Sequence, residues 1–167
     1  MSLSMYQASV PVFTHMLSNL SKLLDKAQAH AEAKKFDPAV YLTMRLYPDM
    51  LPFVKQVQIA CDSAKLCISR ISGVEAPKFD DTEASLAELK ARIAKTIDYL
   101  KSVPADKLDG LEEKEVVIKT RTGEQSFTAQ AYLLHFAQPN HYFHVTTAYG
   151  LLRQAGVEIG KQDYLKG

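Results

Sequence analysis

The sequence predicts an all-α protein, a four-helix bundle that carries a short β-hairpin between its third and fourth helices. Three observations lead there: apolar residues recurring at three and four along long segments, breakers at the segment ends, and one stretch that alternates with period two. At 167 residues the chain is long enough for a single domain, residues 1–167, to bury a continuous core without disulfides or a structural metal.

The first helix is expected from about Met5 to Lys34, because Val10, Phe13, Leu17, Leu20, Leu24, Ala27 and Ala31 form one apolar stripe. Pro11 falls in its opening turns, where a missing N–H costs least. Asp37 before Pro38 reads as an N-cap with proline at the first helical position, opening a short turn through Leu46. Pro48 then disfavours helix at Tyr47, and Asp49 is the expected cap of the second helix. That helix places Val57, Cys61, Ala64, Ile68 and Ile71 on its seam and Lys55, Gln58, Asp62, Lys65 and Ser69 on a polar face; Gly73 ends it.

Residues 74–79, with Pro77, form a connector, and Asp80 with Glu83 matches a capping box for the third helix. Leu86, Leu89, Ile93, Ile97 and Leu100 make its seam, which stops before Pro104. Val116 and Ile118 alternate with Val117 and Lys119 before Thr122-Gly123 and a second run from Gln125 to Thr128, which predicts the hairpin. A lone hairpin is marginal in water, so this one is expected to pack on the bundle. The fourth helix is expected from near Ala129 to just before Gly156, followed by an irregular tail over residues 157–167.

Hydrophobic residues make up 47% and charged residues 23%, close to a globular average, which argues against disorder or a fibrous repeat. Twenty basic against nineteen acidic residues leave a formal charge of +1 with both signs interspersed, so no nucleic-acid footprint is expected. Cys61 and Cys67 point about 120° apart on one helix and do not pair with each other. Two unpaired thiols, an opening MSLSMYQASV without the pattern of a secretory leader, and no apolar stretch of membrane-spanning length lead to the expectation of a cytoplasmic protein.

Three of the five histidines lie in the fourth helix. Its stripe, Leu133, Ala137, His141, His144, Ala148, Leu151 and Ala155, faces the interior, so His144 takes the place of a core apolar residue. His141, three positions earlier, shares that face, and both rings could reach one ion. His135 lies about 180° around an ideal helix from His144 and points elsewhere unless Pro139 redirects the first turns. A zinc site needs three or four donors, and the second helix has no histidine; the remaining candidates are His15 on the first helix and Asp49, Gln56 and Asp62 on or beside the second. The plainer reading makes His144 a buried neutral imidazole bonded to a Tyr, Gln or backbone group, with His141 partly exposed beside it. Tyr132, Tyr142 and Tyr149 interleave with the histidines and read as packing or pocket lining. No phosphate-cradling glycine loop, nucleophile elbow or CxxC is present.

The runs RLYPDMLPFVKQVQIACDSAK (45–65), GVEAPKFDD (73–81) and PNHYFHVTTAYGLLRQAGVEIGK (139–161) resemble a bacterial domain-of-unknown-function family related to the DinB/YfiT-like four-helix bundles. The resemblance covers nearly the whole chain and implies an up-up-down-down bundle that is often dimeric. In DinB-like proteins it also implies a divalent metal held by one histidine from helix two and two from the last helix, used in some relatives for thiol transfer or hydrolysis. His144 best fits one last-helix ligand. The helix-two histidine is absent, and His141 stands where the subfamily pattern PNFYFH has an aromatic residue.

The resulting expectation is a cytoplasmic, homodimeric DinB-like protein with an interior polar pocket of His144, His141, Gln56, Asp49 and Tyr149, open to a small-molecule ligand and with no metal firmly assigned. Two alternatives stand beside it. One is a metal-dependent hydrolase or thiol transferase in which His144 and His141, with His15 or a side chain of the second helix, hold Zn²⁺ or Ni²⁺ and leave a position for water or a thiol. The other is a non-catalytic dimerising interaction module.

Overall fold

The computed structural model of the chain describes residues 3–120 and 123–166. Four long helical runs form the bundle: α1 (Val10–Lys34), α2 (Phe53–Ser72), α3 (Leu86–Ser102), and a last run made of α4 (Ala129–Tyr132), a π-helical segment (Leu133–Ala137) and α5 (Gln138–Gln154). Strands β1 (Glu115–Thr120) and β2 (Gly123–Thr128) form the expected antiparallel hairpin before α4, with Val116 paired to Phe127 and Ile118 to Gln125. Thr122 of the expected turn lies outside the described residues.

The expected apolar stripes are the core. Phe13, Leu17, Leu20, Leu24, Ala27 and Ala31 of α1 are fully buried, as are Val57, Cys61, Ala64, Ile68 and Ile71 of α2. Each large aliphatic side chain withdrawn from water contributes roughly 1.5–3 kcal/mol. Val116 and Ile118 turn inward, and Phe127 joins Tyr132 and Phe136 in an aromatic cluster that seats the hairpin on the last helical run. Lys114 fastens its base by donating to the carbonyls of Arg70 and Ile71 at the end of α2.

Contacts between side chains fix the helix directions. Gln138 donates to the Ala8 carbonyl and Gly156 lies against His30, so α5 runs parallel to α1. Gln56 meets His144 and Arg70 meets Tyr132, so α2 runs against α5; Arg92 meets Asp62 and Tyr99 meets Val74, so α3 runs with α2. The bundle is therefore up-down-down-up, with α1 packed on α3 and α5 and lying diagonal to α2, and not up-up-down-down as the resemblance implied. The parallel α2–α3 pair requires the connector to travel back along the bundle.

Several local expectations are corrected. α1 begins at Val10 and not near Met5: residues 5–9 are turns, with Ser9 Oγ donating to the Met5 carbonyl, and Pro11 sits in the first helical turn. Asp37 does cap a 3-10 turn, Pro38–Thr43, by accepting from Ala39 N. Asp49 does not cap α2. Pro52 takes the N-cap position, Phe53 N donates to the Met44 carbonyl, and Asp49 is left exposed. The third helix is capped by Ser85 accepting from Glu88 N, with Glu88 returning to Ala84 N, which frees the acids at 80–83 for other partners. The tail is helical: α6 (Lys161–Lys166) is started by Asp163 accepting from Gly160 N and is tied to α1 by Lys26.

Candidate functional site

The last helical run carries its histidines into the interior through an irregularity. Pro139 lacks the N–H that an α-helix would spend on the carbonyl four residues back, and its ring crowds that carbonyl. Just before it the backbone widens into the π segment, where Gln138 N–H reaches five residues back to Leu133. Downstream, α5 presents both His141 and His144 to α2.

His141 is fully buried, whereas partial exposure was expected. The cause is α1: the Phe13 ring meets the imidazole edge-on at 5.0 Å and closes that side. His141 Nδ1 lies 2.9 Å from the Ala60 carbonyl, which can only accept, so the proton sits on Nδ1. Ser63 Oγ, 3.3 Å from the same nitrogen, donates to the same carbonyl. Nε2 is then a bare lone pair, buried and without a partner among the described residues. Burial pushes the imidazole pKa down to about 4; the bond to Ala60 opposes this and nearby His144 adds to it.

His144 repeats the arrangement one turn along. Its Nδ1 lies 2.7 Å from Gln56 Oε1, while Gln56 Nε2 donates to the Leu51 carbonyl at 2.9 Å. The second bond orients the amide, so Oε1 accepts and His144 also carries its proton on Nδ1. His144 as a residue is 8% exposed, and Phe143, itself 55% exposed, stands edge-on to its ring. Burial lowers its pKa too. Both rings are thus neutral near pH 7, each anchored to α2 by one nitrogen with the other unpartnered among the described residues.

Of the other residues singled out in the sequence, only Gln56 joins this pair. Asp49 is exposed in the loop before α2. Tyr149 packs edge-on against Tyr164 of α6, and His15 is exposed on α1 with Nε2 at 2.6 Å from the Leu165 carbonyl. His135 is exposed, and His30 bonds the Tyr41 hydroxyl at 2.7 Å. Among the described residues no group of three or more His, Cys, Asp or Glu side chains is placed to hold a metal ion, so they do not fit the three-histidine centre implied by the resemblance. Sequence reasoning missed Ser63 and the Ala60 carbonyl, since a backbone acceptor leaves no mark on a sequence.

It also missed a second buried polar cluster. Arg92 of α3 is 3% exposed, and its guanidinium meets Asp81 at 2.7 Å, Asp62 at 2.9 Å and Glu83 at 3.0 Å. Gln58 and Lys65, expected on a solvated face of α2, are buried beneath the α2–α3 connector, where Gln58 donates to Glu83 and Lys65 pairs with Asp62. An arginine between the seam residues Leu89 and Ile93, facing a run of acids at 80–83, was the available signal. Cys61 and Cys67 are free and fully buried, and burial pushes the Cys61 thiol up to about 12 and the Cys67 thiol further, so neither is a ready nucleophile.

Comparison with known proteins adds family and fold. Residues 5–165 match the family described as Domain of unknown function (DUF1993). The crystal structure of a DinB family member protein from Shewanella denitrificans is 42% identical and superposes with a TM-score of 0.89 over 97% of this chain and 92% of that one. No curated protein matches the sequence.

Proposed function

The chain belongs to the Domain of unknown function (DUF1993) family and has the DinB-like fold, and on that premise we propose that its function resides at the α2–α5 seam, an interior polar site that binds a small molecule through His144 and His141. The observation that carries this is the unspent Nε2 of His141, fully buried and unpartnered beside a second ring held in the same tautomer. A buried acceptor left without a bond costs about 1–3 kcal/mol, which a donor on a bound ligand would recover. Two lone-pair acceptors in an apolar setting of Phe13 and Phe143 select a neutral ligand with a hydrogen-bond donor on an apolar body, and disfavour anions. Binding requires Phe13 or the Phe143 edge to yield.

The protein works in the cytoplasm as a homodimer in this reading. Two free thiols support a reducing compartment. Leu51 and Phe143, large exposed apolar residues flanking the Gln56–His144 pair, support a covered surface next to the site.

One observation favours a second reading, the metal-dependent hydrolase or thiol transferase. A histidine that donates Nδ1–H to a carbonyl or amide oxygen and points Nε2 away is oriented as metal-bound histidines are. The remaining ligands would have to come from water or from a second copy.

Phenol binding followed through the imidazole ¹⁵N signals, together with metal analysis of the purified protein, separates these. The proposed site predicts a phenol-dependent Nε2 shift that His144→Ala removes, and no stoichiometric metal. Stoichiometric Zn²⁺ or Ni²⁺ lost in His144→Ala would replace it with the metal reading. Neither signal, in a dimer indifferent to His144→Ala, would leave the interaction module.

A further inference from the structure

On the other flank of α2, residues 73–84 cross back through the groove between α2 and α3 without helix or strand of their own. Side-chain heads hold the crossover down: Tyr99 Oη donates to the Val74 carbonyl, Lys65 Nζ to the Pro77 carbonyl, Gln58 to Glu83, and Lys55 to Asp81. One aromatic ring, Phe79, enters the groove. Lys65 Nζ lies 3.9 Å from its centroid and Arg92 Cζ lies 4.5 Å from it, so two cations hold one ring.

The ring also stands between two cavities. One of about 360 Å³ is lined by Asp62, Lys65, Leu66 and Ser69, and one of about 190 Å³ by Ala91, Arg92 and Lys95; Phe79 lines both. Its withdrawal would join them. It would also remove Asp81 and Glu83 from Arg92 and Asp81 from Lys55, leaving Arg92 and Lys65 paired with Asp62, with Glu88 and Lys95 at the rim.

We propose that the slot between Lys65 and Arg92 is a binding site for an aromatic carboxylate, filled in the closed state by the chain's own Phe79, Asp81 and Glu83, with the crossover as a displaceable lid. A ligand that unites a planar ring and a carboxylate reproduces what the lid supplies: a face for two cations and oxygens for a guanidinium. Arg92 has room for such a ligand's bond. Its Nε is buried in a nearly inaccessible side chain and has no partner among the described residues. The crossover bends at Gly73, where it leaves α2, and again at Asp81, since both adopt left-handed backbone, at φ +78° and +56°.

Benzoate is the probe, applied to the full chain and to Phe79→Ala. Phe79→Ala is expected to gain several degrees of melting temperature from benzoate, an effect lost in Phe79→Ala/Lys65→Met and absent with toluene. In the unmodified chain, benzoate is expected to speed hydrogen exchange at residues 74–84 at least about tenfold while α1 amides stay unchanged. Equal rescue by toluene would reduce the slot to an unspecific cavity and overturn the assignment. Should Phe79→Ala fail to fold, the unmodified chain decides alone: no acceleration of the crossover at saturating benzoate overturns the proposal.

Discussion

At Arg92 three carboxylates from two segments converge on one guanidinium, whereas at His141 and His144 two uncharged rings each spend one nitrogen on α2 and keep the other. Both regions are polar, both are buried, and both flank α2. The first balances charge: Arg92, Lys65 and Lys55 stand against Asp62, Asp81 and Glu83, and Asp81 and Glu83 anchor the crossover beside the bonds of Tyr99 and Lys65 to its carbonyls. The second has no charge to balance and leaves a buried acceptor over. The regions differ in charge and not in saturation: Arg92 Nε and Gln58 Oε1 are also buried without a partner among the described residues, but their neighbours are paired ions, whereas those of His141 Nε2 are neutral.

The largest effect that tests this contrast comes from the charge-balanced region. Arg92→Met should lower stability by about 3 kcal/mol, at the low end for breaking a buried pair because the freed carboxylates are partly exposed and can rehydrate. Urea unfolding measures it. A loss no larger than that of an exposed salt bridge would mean that the crossover is held by packing and that the contrast fails on its structural side.

Acid should separate the regions by window. Because burial holds His141 at about 4 against an ordinary 6.5, the native state binds fewer protons than the unfolded chain between those values. Stability present above pH 6.5 is therefore lost as pH falls toward 4, by about 3 kcal/mol. His141→Leu should flatten that window while changing stability at pH 7 by less than about 1 kcal/mol. Burial alone would raise Asp81 and Glu83, but hydrogen bonds from Lys55 and Arg92 to Asp81, and from Arg92 and Gln58 to Glu83, hold both below the usual carboxylate range. Their contribution is lost only as pH falls into and below the ordinary carboxylate range, so it outlasts most of the histidine window.

A smaller change should loosen one ring without emptying the site. Gln56→Leu removes the acceptor for His144 Nδ1–H and should cost about 1–2 kcal/mol, visible in urea unfolding and as a mixture of His144 tautomers by ¹⁵N spectroscopy. Smallest is the cap that releases the acids: Ser85→Ala should cost about 1 kcal/mol, while Asp80→Ala leaves stability unchanged. The reverse order would restore Asp80 as the cap.

The same contrast marks what was legible in the sequence. Apolar periodicity located four long helical runs and the hairpin, because burial of Leu17, Ile68 or Leu89 depends on spacing alone. Caps were harder, since Asp49, Asp80 and Ser85 all carry suitable side chains and tertiary partners chose among them. Helix direction was not legible, as either course of the 73–85 connector satisfies the same pattern. At the site, His144 on the seam was evident from spacing, but the burial of His141 depends on Phe13 from a helix more than a hundred residues earlier. Asp49, Tyr149 and His15 were grouped with it by side-chain type, and α6, which engages Tyr149 and His15, was expected to be irregular.

The central claim is that both imidazoles are neutral, carry their proton on Nδ1 and keep Nε2 free. Long-range ¹H–¹⁵N correlation of the ring nitrogens through a pH titration tests it most directly. The account predicts Nδ1–H tautomers for both rings at pH 7, with His141 resisting protonation until about pH 4. An Nε2–H tautomer at His141, or titration of that ring near 6.5 as in an exposed histidine, would contradict it.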